Sequence, residues 1–273
     1  MRVAAIQMAS GSNVSGNLLE ADKLISNAVA DGANMVVLPE NFGIIGVRQQ
    51  DVLEHSEKSG QGPLQDFLSE QASRHGISVI GGSIPMQSDD ARRYRNTLLV
   101  YGKDGQCVAR YDKIHLFDVS LPDVDESYQE SAVIEPGDQV VVIEVDGVKL
   151  GLAICYDLRF PELFRLLIDK GAEVLVLPSS FTSVTGKAHW HALLKARAIE
   201  NLSFVVASAQ GGYHVNGRET YGHSLILDPW GNTLDEIASG SGFAIADLNL
   251  EQQQKIRSRF PVLAHRKYFV SES

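Results

Sequence analysis

Only two cysteines occur in the 273 residues, Cys107 and Cys155, with no Cys-x-x-Cys pair and no spacing of the kind that holds zinc. A disulfide-stapled scaffold is excluded, and both thiols read as free, because a chain of this length buries enough core to fold without a cross-link. Also missing is any run of about 18 apolar residues, so no membrane-spanning helix and no membrane partner is expected. Lysine and arginine number 24 against 34 aspartates and glutamates, a formal net charge of −10, and the basic residues form no cluster. Affinity for nucleic acid rests on such clusters, so nucleic acid is not an expected partner. The opening MRVAAIQM reads as a strand rather than as a basic and then apolar targeting signal, and a cytoplasmic location is expected. Small molecules are the partners this composition favours.

What is present is an alternation of apolar runs and amphipathic stretches along the whole chain. The runs are VAAIQM (3–8), NMVVLPE (34–40), ISVIGGSI (77–84), TLLVY (97–101), KLGLAIC (149–155), EVLVLPSSF (173–181), LSFVVASA (202–209) and SLILD (224–228). Helical patterns cover 17–33, closed near Gly32, and 63–76, with Pro63 near its start and Gly76 at its end. Such alternation points to an α/β or layered α+β architecture.

The runs also repeat in order. DGANMVVLPENF (31–42) matches KGAEVLVLPSSF (170–181), VAAIQ (3–7) matches GLAIC (151–155), ISVIGGSI matches LSFVVASA, and NTLLVYGKDG (96–105) matches HSLILDPWGN (223–232). The expectation is one domain, residues 1–273, built of two similar halves whose sheets face each other with helices outside. Under this alignment Gln7 takes the place of Cys155 and Glu40 that of Ser179. The strand exits then gather at one end, where ligand sites of α/β folds lie.

Three polar residues stand out against this frame. Cys155 sits where the run GLAIC turns into YDLR, before a helix opened by Pro161. An ordinary buried cysteine is the competing reading, but a thiol facing a helix N-terminus can have its pKa lowered and act as a nucleophile. Cys107, inside QCVARY, lacks that setting and reads as packing. Glu40 follows Pro39 at the end of VVLPENF, where desolvation would raise a carboxyl pKa, unless the side chain is simply solvated at the strand exit. Lys113 in YDKIHLFD opens another apolar stretch and is either a surface lysine or a cation held for an oxyanion.

The set LPEN around Glu40, YDKIHLFD around Lys113 and GLAICYDLRFPE around Cys155 resembles the nitrilase superfamily of carbon-nitrogen hydrolases, over essentially the whole chain. The resemblance implies a four-layer αββα sandwich with two similar halves, an α+β fold. It also implies Glu40 as general base, Lys113 as stabiliser of the tetrahedral intermediate, Cys155 as nucleophile, and Glu130, in YQES, as an auxiliary carboxylate. The backbone N–H of Tyr156 would complete the oxyanion hole, and no metal or organic cofactor is required. A homodimer or higher homo-oligomer is expected by the same resemblance, with the C-terminal tail, about 258–273, packing on the partner subunit or on its own.

Later segments, VTGKAHWHALLKARAIEN, SAQGGYHVNGRETYGHS and LDPWGN, look most like the branch that hydrolyses deaminated glutathione. The omega-amidase branch, acting on 2-oxoglutaramate, shares several of these elements. His191 departs from the acidic residue common after AHW in the relatives. Either substrate carries a carboxylate, for which Arg159 and Arg218 are the candidate binders, against an ordinary ion pair of Arg159 with Asp157 or Glu162. His189 and His191 lie two residues apart on a helix, about 200° around it, so they do not share a metal and the helix reads as structural. A Cys/His pairing of Cys155 with His214 or His223 is the competing catalytic arrangement, and it leaves Glu40 and Lys113 without roles. A nitrilase and an inactive binding scaffold are the remaining alternatives.

Overall fold

The computed structural model describes residues 1–120 and 127–269. In chain order the first half runs β1 (Arg2–Gln7), α1 (Val14–Ala30), β2 (Met35–Val37), α2 (Gln49–Leu53), α3 (Pro63–His75), β3 (Ser78–Ile80), β4 (Ile84–Gln87), β5 (Tyr94–Tyr101) and β6 (Cys107–Asp112). Two antiparallel strands follow, β7 (Asp118–Ser120) and β8 (Ser127–Gln129), with a 3-10 turn at Glu130–Ala132. The second half runs β9 (Val142–Val145), β10 (Val148–Leu152), a 3-10 turn (Cys155–Arg159), α4 (Pro161–Asp169), β11 (Val174–Ser179), α5 (Ser183–Asn201), β12 (Phe204–Ala209), β13 (Gly211–Tyr213), β14 (Glu219–Tyr221), β15 (Ser224–Leu227) and β16 (Thr233–Ile237). The strand β17 (Gly242–Asp247) and helix α6 (Leu250–Arg259) close the described chain with a short turn at Val262–His265.

Two sheets carry the fold. One is ordered β17-β1-β2-β3-β5-β4 with β6 also on β5, the other β16-β15-β12-β11-β10-β9. In each, three central strands are parallel (β1, β2, β3 and β10, β11, β12) and the flanking ones antiparallel. Apart from β17, which returns from the C-terminal end to pair with β1, each sheet is one half of the internal repeat.

The register refines that repeat by one residue. Val3 stands beside Met35 as Leu150 stands beside Val174, and Met35 beside Ser78 as Val174 beside Phe204. Val3 thus corresponds to Leu150, and Met8, not Gln7, falls at the place of Cys155. A run of uniformly apolar residues buried on both faces carries no alternation to fix its register, which is why the letters alone slip.

Side chains alternate as a two-faced sheet requires. Val3, Ala5, Met35 and Val37 share a core with Leu150, Leu152, Val174 and Val176 of the other sheet. Their neighbours Ala4, Ile6, Val36 and Leu38 pack instead under Leu24 and Ile25 of α1 and Leu68 and Ala72 of α3. On the far side, Leu163 and Leu167 of α4 and Trp190 and Leu194 of α5 cover the second sheet. The result is the helix, sheet, sheet, helix sandwich, with helix ends where the sequence signals them: Pro63 opens α3, left-handed Gly76 (φ 62°) ends it, and Pro161 opens α4.

The strand exits converge. Met8, one residue past β1, bridges in parallel to Gln210, one past β12. The Ser180 hydroxyl after β11 donates to the Glu40 carbonyl (3.2 Å), as does the Gln210 amide (3.0 Å). Beneath this junction Gly82, at φ 56°, lets the chain pass so close to Pro39 that a Cβ would lie 2.1 Å from its carbonyl oxygen. We expect Gly82→Ala to lose more stability than Gly60→Ala, also left-handed (φ 76°) but in open space, which should cost roughly 1–2 kcal/mol. Denaturant midpoints of the two variants check this, and activity should fall in Gly82→Ala alone because Pro39 carries Glu40.

Candidate active site

Each chemically distinctive side chain leaves the end of a strand. Glu40 follows β2, Lys113 follows β6, and Cys155 lies three residues beyond the end of β10. The strand therefore stops at Leu152, and the thiol occupies the first position of the 3-10 turn with a left-handed backbone (φ 50°). A non-glycine residue there costs on the order of 1–3 kcal/mol and persists only where its surroundings over-determine it.

Those surroundings centre on Asp157. Its buried carboxylate accepts from the backbone N–H of Ile154 (2.8 Å), the Tyr111 hydroxyl (2.7 Å) and the backbone N–H of His115 (3.1 Å), with the His115 ring nitrogen at 2.7 Å. Asp157 thus ties the turn that holds Cys155 to the two residues that bracket Lys113 at a spacing of two. The ion pair of Arg159 with Asp157 does not form, because Asp157 is fully engaged inward. The sequence signal for Asp157 was its place in a turn between two apolar elements, and it is weak, since solvated aspartates are common in turns.

The Lys113 ammonium, whose side chain is 0% exposed, lies 2.9 Å from Glu40 Oε1 and 2.9 and 3.1 Å from the two Glu130 oxygens. Asn96 Nδ2 donates to the same Glu40 oxygen (2.9 Å), and Glu130 Oε2 also accepts from the backbone N–H of Phe117 (2.8 Å). The surface reading of Lys113 and the solvated reading of Glu40 are both overturned. Burial pushes the Lys113 pKa down, but the Glu130 and Glu40 carboxylates outweigh it and hold the ammonium well above its ordinary value. Burial pushes the Glu40 carboxyl up, yet the Lys113 charge and its hydrogen bonds with Lys113 and Cys155 bring it below the usual range, opposite to the shift expected from desolvation alone.

The thiol goes the other way. Burial and the Glu40 carboxylate push Cys155 well above the ordinary thiol range, against the pull of Lys113 and a backbone hydrogen bond from Ser180. The expected lowering by the helix N-terminus does not occur. Both directions favour a neutral thiol beside an ionised carboxylate. Cys107 is exposed on the edge strand β6 rather than packed.

A cleft of about 270 Å³ of open space is lined by Glu40, Phe117, Glu130, Cys155, Tyr156, Arg159, Ser180, Phe181, Thr182, Thr185 and Arg218. It brings together all seven predicted site residues except Lys113, which is buried and in contact with two of them, Glu40 and Glu130. The Arg159 guanidinium lies over the rings of Tyr156 (5.8 Å) and Phe181 (5.4 Å), with the His189 ring at 3.3 Å. Arg218 donates to the Ser180 carbonyl and lies 5.2 Å over Tyr128, while its Nε is buried with no hydrogen-bond partner. Neither guanidinium pairs with a carboxylate among the described residues. Asn96, Ser180, Thr182 and Phe181 escaped the sequence reading, although Ser179 and Ser180 stand where the repeat places Glu40 and Asn41.

The two alternative histidines are elsewhere. His214 is buried between the Ser10 carbonyl and Thr220 (both 2.8 Å), and His223 contacts Glu236 (2.5 Å). Neither lines the cleft, which removes the Cys/His pairing. His191 also points away, to Glu236 (2.9 Å), so its departure from the relatives lies outside the cleft.

Residues 2–258 match the model of the carbon-nitrogen hydrolase family, and the chain belongs to that family, the nitrilase superfamily. It is an enzyme of the class that acts on non-peptide C–N bonds. Among its relatives, a deaminated glutathione amidase of Synechocystis is 42% identical over 97% of both chains. The omega-amidase NIT2 of Mus musculus is 36% identical over 97% of this chain and 95% of its own. The crystal structure of Saccharomyces cerevisiae Nit3, a member of branch 10 of the nitrilase superfamily, superposes with a TM-score of 0.88 at 31% identity, covering 98% of this chain and 97% of that one.

Two outcomes follow for the site. Because the folded Glu40 pKa lies below its unfolded value, its ionised form contributes stability above about pH 4.3, and that contribution is lost only as pH falls through the lower folded value. Above a correspondingly low pH, kcat/KM should stay flat through the ordinary carboxylate range, and an acid limb centred at or above about 4.3 would contradict the Lys113–Glu40 pairing. Asp157→Asn should cost about 2–3 kcal/mol in denaturant unfolding and lower kcat about 10²-fold with little change in KM, as misplacement of the thiol requires.

Proposed function

We propose that the protein is an amidase that hydrolyses a linear, carboxylate-bearing amide through a Cys155 thioester, with deaminated glutathione as the substrate. Glu40 takes the thiol proton as Cys155 attacks the amide carbon. The Lys113 ammonium and the backbone N–H of Tyr156, in the first turn of a 3-10 helix where such groups lack an intrahelical partner, hold the developing oxyanion. Glu40 then gives the proton to the departing amine, which leaves a thioester. The same carboxylate removes a proton from water, hydroxide adds to the thioester, and the acid leaves as the thiol is restored. Glu130 keeps Lys113 charged and oriented throughout.

The observation that carries the substrate class is the pair of guanidinium groups, Arg159 and Arg218, that open into the cleft with no carboxylate partner among the described residues. A substrate carboxylate supplies the missing charge-assisted bonds. The deaminated glutathione amidase among the relatives supports the larger 2-oxoglutaramyl substrate; the omega-amidase keeps 2-oxoglutaramate as the second reading. Both release 2-oxoglutarate, so one assay compares them.

A cytoplasmic location belongs to the same proposal, as does assembly with a second copy of the chain. Trp230 and Phe260, in edge-on contact at 5.6 Å, are exposed, as are Tyr268 and Phe269 of the tail, while Arg257 and Gln253 of α6 anchor the tail on its own subunit through the carbonyl of Leu202. The last four residues of that tail lie outside the described residues.

The test is 2-oxoglutarate release from deaminated glutathione and from 2-oxoglutaramate, beside a neutral amide and a simple nitrile. We expect higher kcat/KM on deaminated glutathione, and loss of turnover on the order of 10⁴-fold in Cys155→Ala. Arg159→Met and Arg218→Met should each lower kcat/KM about 10- to 100-fold on the carboxylate substrates, from the 1.5–3 kcal/mol of a charged hydrogen bond, and leave the neutral amide nearly unchanged. Equal losses on both kinds of amide would remove the carboxylate-binding role, and preference for 2-oxoglutaramate would select the second reading.

A further inference from the structure

On the outer side of the second sheet, away from the cleft, three side chains from distant parts of the chain meet. His191 comes from α5, His223 from the residue before β15, and Glu236 from β16. His191 Nε2 lies 2.9 Å and His223 Nδ1 2.5 Å from the same oxygen, Glu236 Oε1, and one ligand-type atom from each residue falls within 4.8 Å of the others. Among the described residues this is the one group of three or more histidine, cysteine or carboxylate side chains so arranged.

The group is built rather than accidental in its placement. The buried Trp190 indole N–H donates to the His223 carbonyl (2.8 Å), and the His223 N–H donates to the carbonyl of Ala238 (3.3 Å). The Tyr221 ring stacks on the His223 imidazole at 4.2 Å and 23°, and His191 meets His223 edge-on at 5.1 Å. The His223 backbone is held at φ 56°, a left-handed conformation that a non-glycine residue adopts at a cost in strain. All three side chains are about a quarter to a third exposed, so a hydrated ion has access.

We propose that His191, His223 and Glu236 bind a divalent cation of the zinc class. Two imidazoles and a carboxylate are the borderline nitrogen and oxygen donors such ions select, and three protein ligands leave a fourth position for water. Ligands about 2.0–2.2 Å from a tetrahedral ion stand roughly 3.3 Å apart, so the 2.5 and 2.9 Å contacts widen by less than about 1 Å when the ion enters. The ion replaces the protons that bridge each ring to the carboxylate. His223 then keeps its proton on Nε2 and His191 on Nδ1, and both neutral rings present a lone pair. The bound cation would fasten α5 to β16, two elements whose ligands lie 45 residues apart, and it takes no part in amide hydrolysis.

The experiment titrates the full chain with Co²⁺ by absorbance and with Zn²⁺ by calorimetry, in wild type and in His191→Gln, His223→Gln and Glu236→Gln. Expected are one equivalent bound, a Co²⁺ spectrum of ligand-field bands without thiolate charge transfer, and affinity at least about tenfold weaker in each variant. Zn²⁺ should raise the unfolding temperature of wild type and not of the variants. His191→Gln changes a half-buried helix residue and keeps the test open should His223→Gln fail to fold. Thiolate charge transfer, which would place the ion on Cys107 or Cys155, overturns the proposal. So does affinity unchanged in His191→Gln, or no binding at millimolar metal.

Discussion

A lysine ammonium with no exposed surface is the constraint on which the rest of this structure depends. Taking such a charge out of water costs several kcal/mol unless opposite charges meet it at hydrogen-bond distance, and Lys113 meets Glu40 and Glu130 at 2.9 Å. Three segments far apart in sequence are thereby locked to one point: the exit of β2, the exit of β6 and the turn after β8. The electrostatic need and the chemical task coincide. The same pairing favours an ionised carboxylate and a charged ammonium, the states that the proposed base and oxyanion roles need.

The thiol is governed by the opposite logic. Its burial beside a carboxylate favours the neutral form, so in the proposed mechanism the proton moves as the sulfur attacks rather than beforehand. Such a mechanism depends on position more than on resting acidity. The left-handed Cys155, the inward carboxylate of Asp157 and the ring of Tyr111 that reaches it form one fixed turn. Asp157 and Glu130 therefore hold Cys155 and Lys113 in parallel ways, each carboxylate accepting from both backbone and side-chain donors.

The sandwich was legible in the sequence because strands buried on both faces are long apolar words, and the second half repeats the first. Exits of those strands were legible too, since LPEN, KIHLFD and AICYDLR each change from apolar to polar within a residue or two. What stayed hidden has physical reasons. The edge strands β9, β16 and β17 mix charged and apolar residues, as in TLDEI, and give no clear period. The repeat slipped by one residue because VAAIQ and GLAIC are apolar at nearly every position. The pKa directions of Glu40 and Cys155 were misjudged because desolvation and the helix dipole can be read from local sequence, whereas Lys113 beside Glu40 is a contact across 73 residues.

The two halves also divide the chemistry between them. Glu40, Asn96 and Lys113 belong to the first sheet and its exits, Cys155, Ser180 and Arg218 to the second half, and the Ser180 hydroxyl joins the two at the Glu40 carbonyl. The separation of Glu40 and Cys155 consequently depends on the seam between two sheets as well as on the turns that carry the two side chains. A substitution deep in that seam, at Val37 or Val176, can let the sheets settle closer or slide, and in the proposed mechanism proton transfer is the step exposed to that shift. Under the proposed function the core thus acts as a gauge of the reactive gap, and its packing is under the same demand for accuracy as the side chains of the cleft.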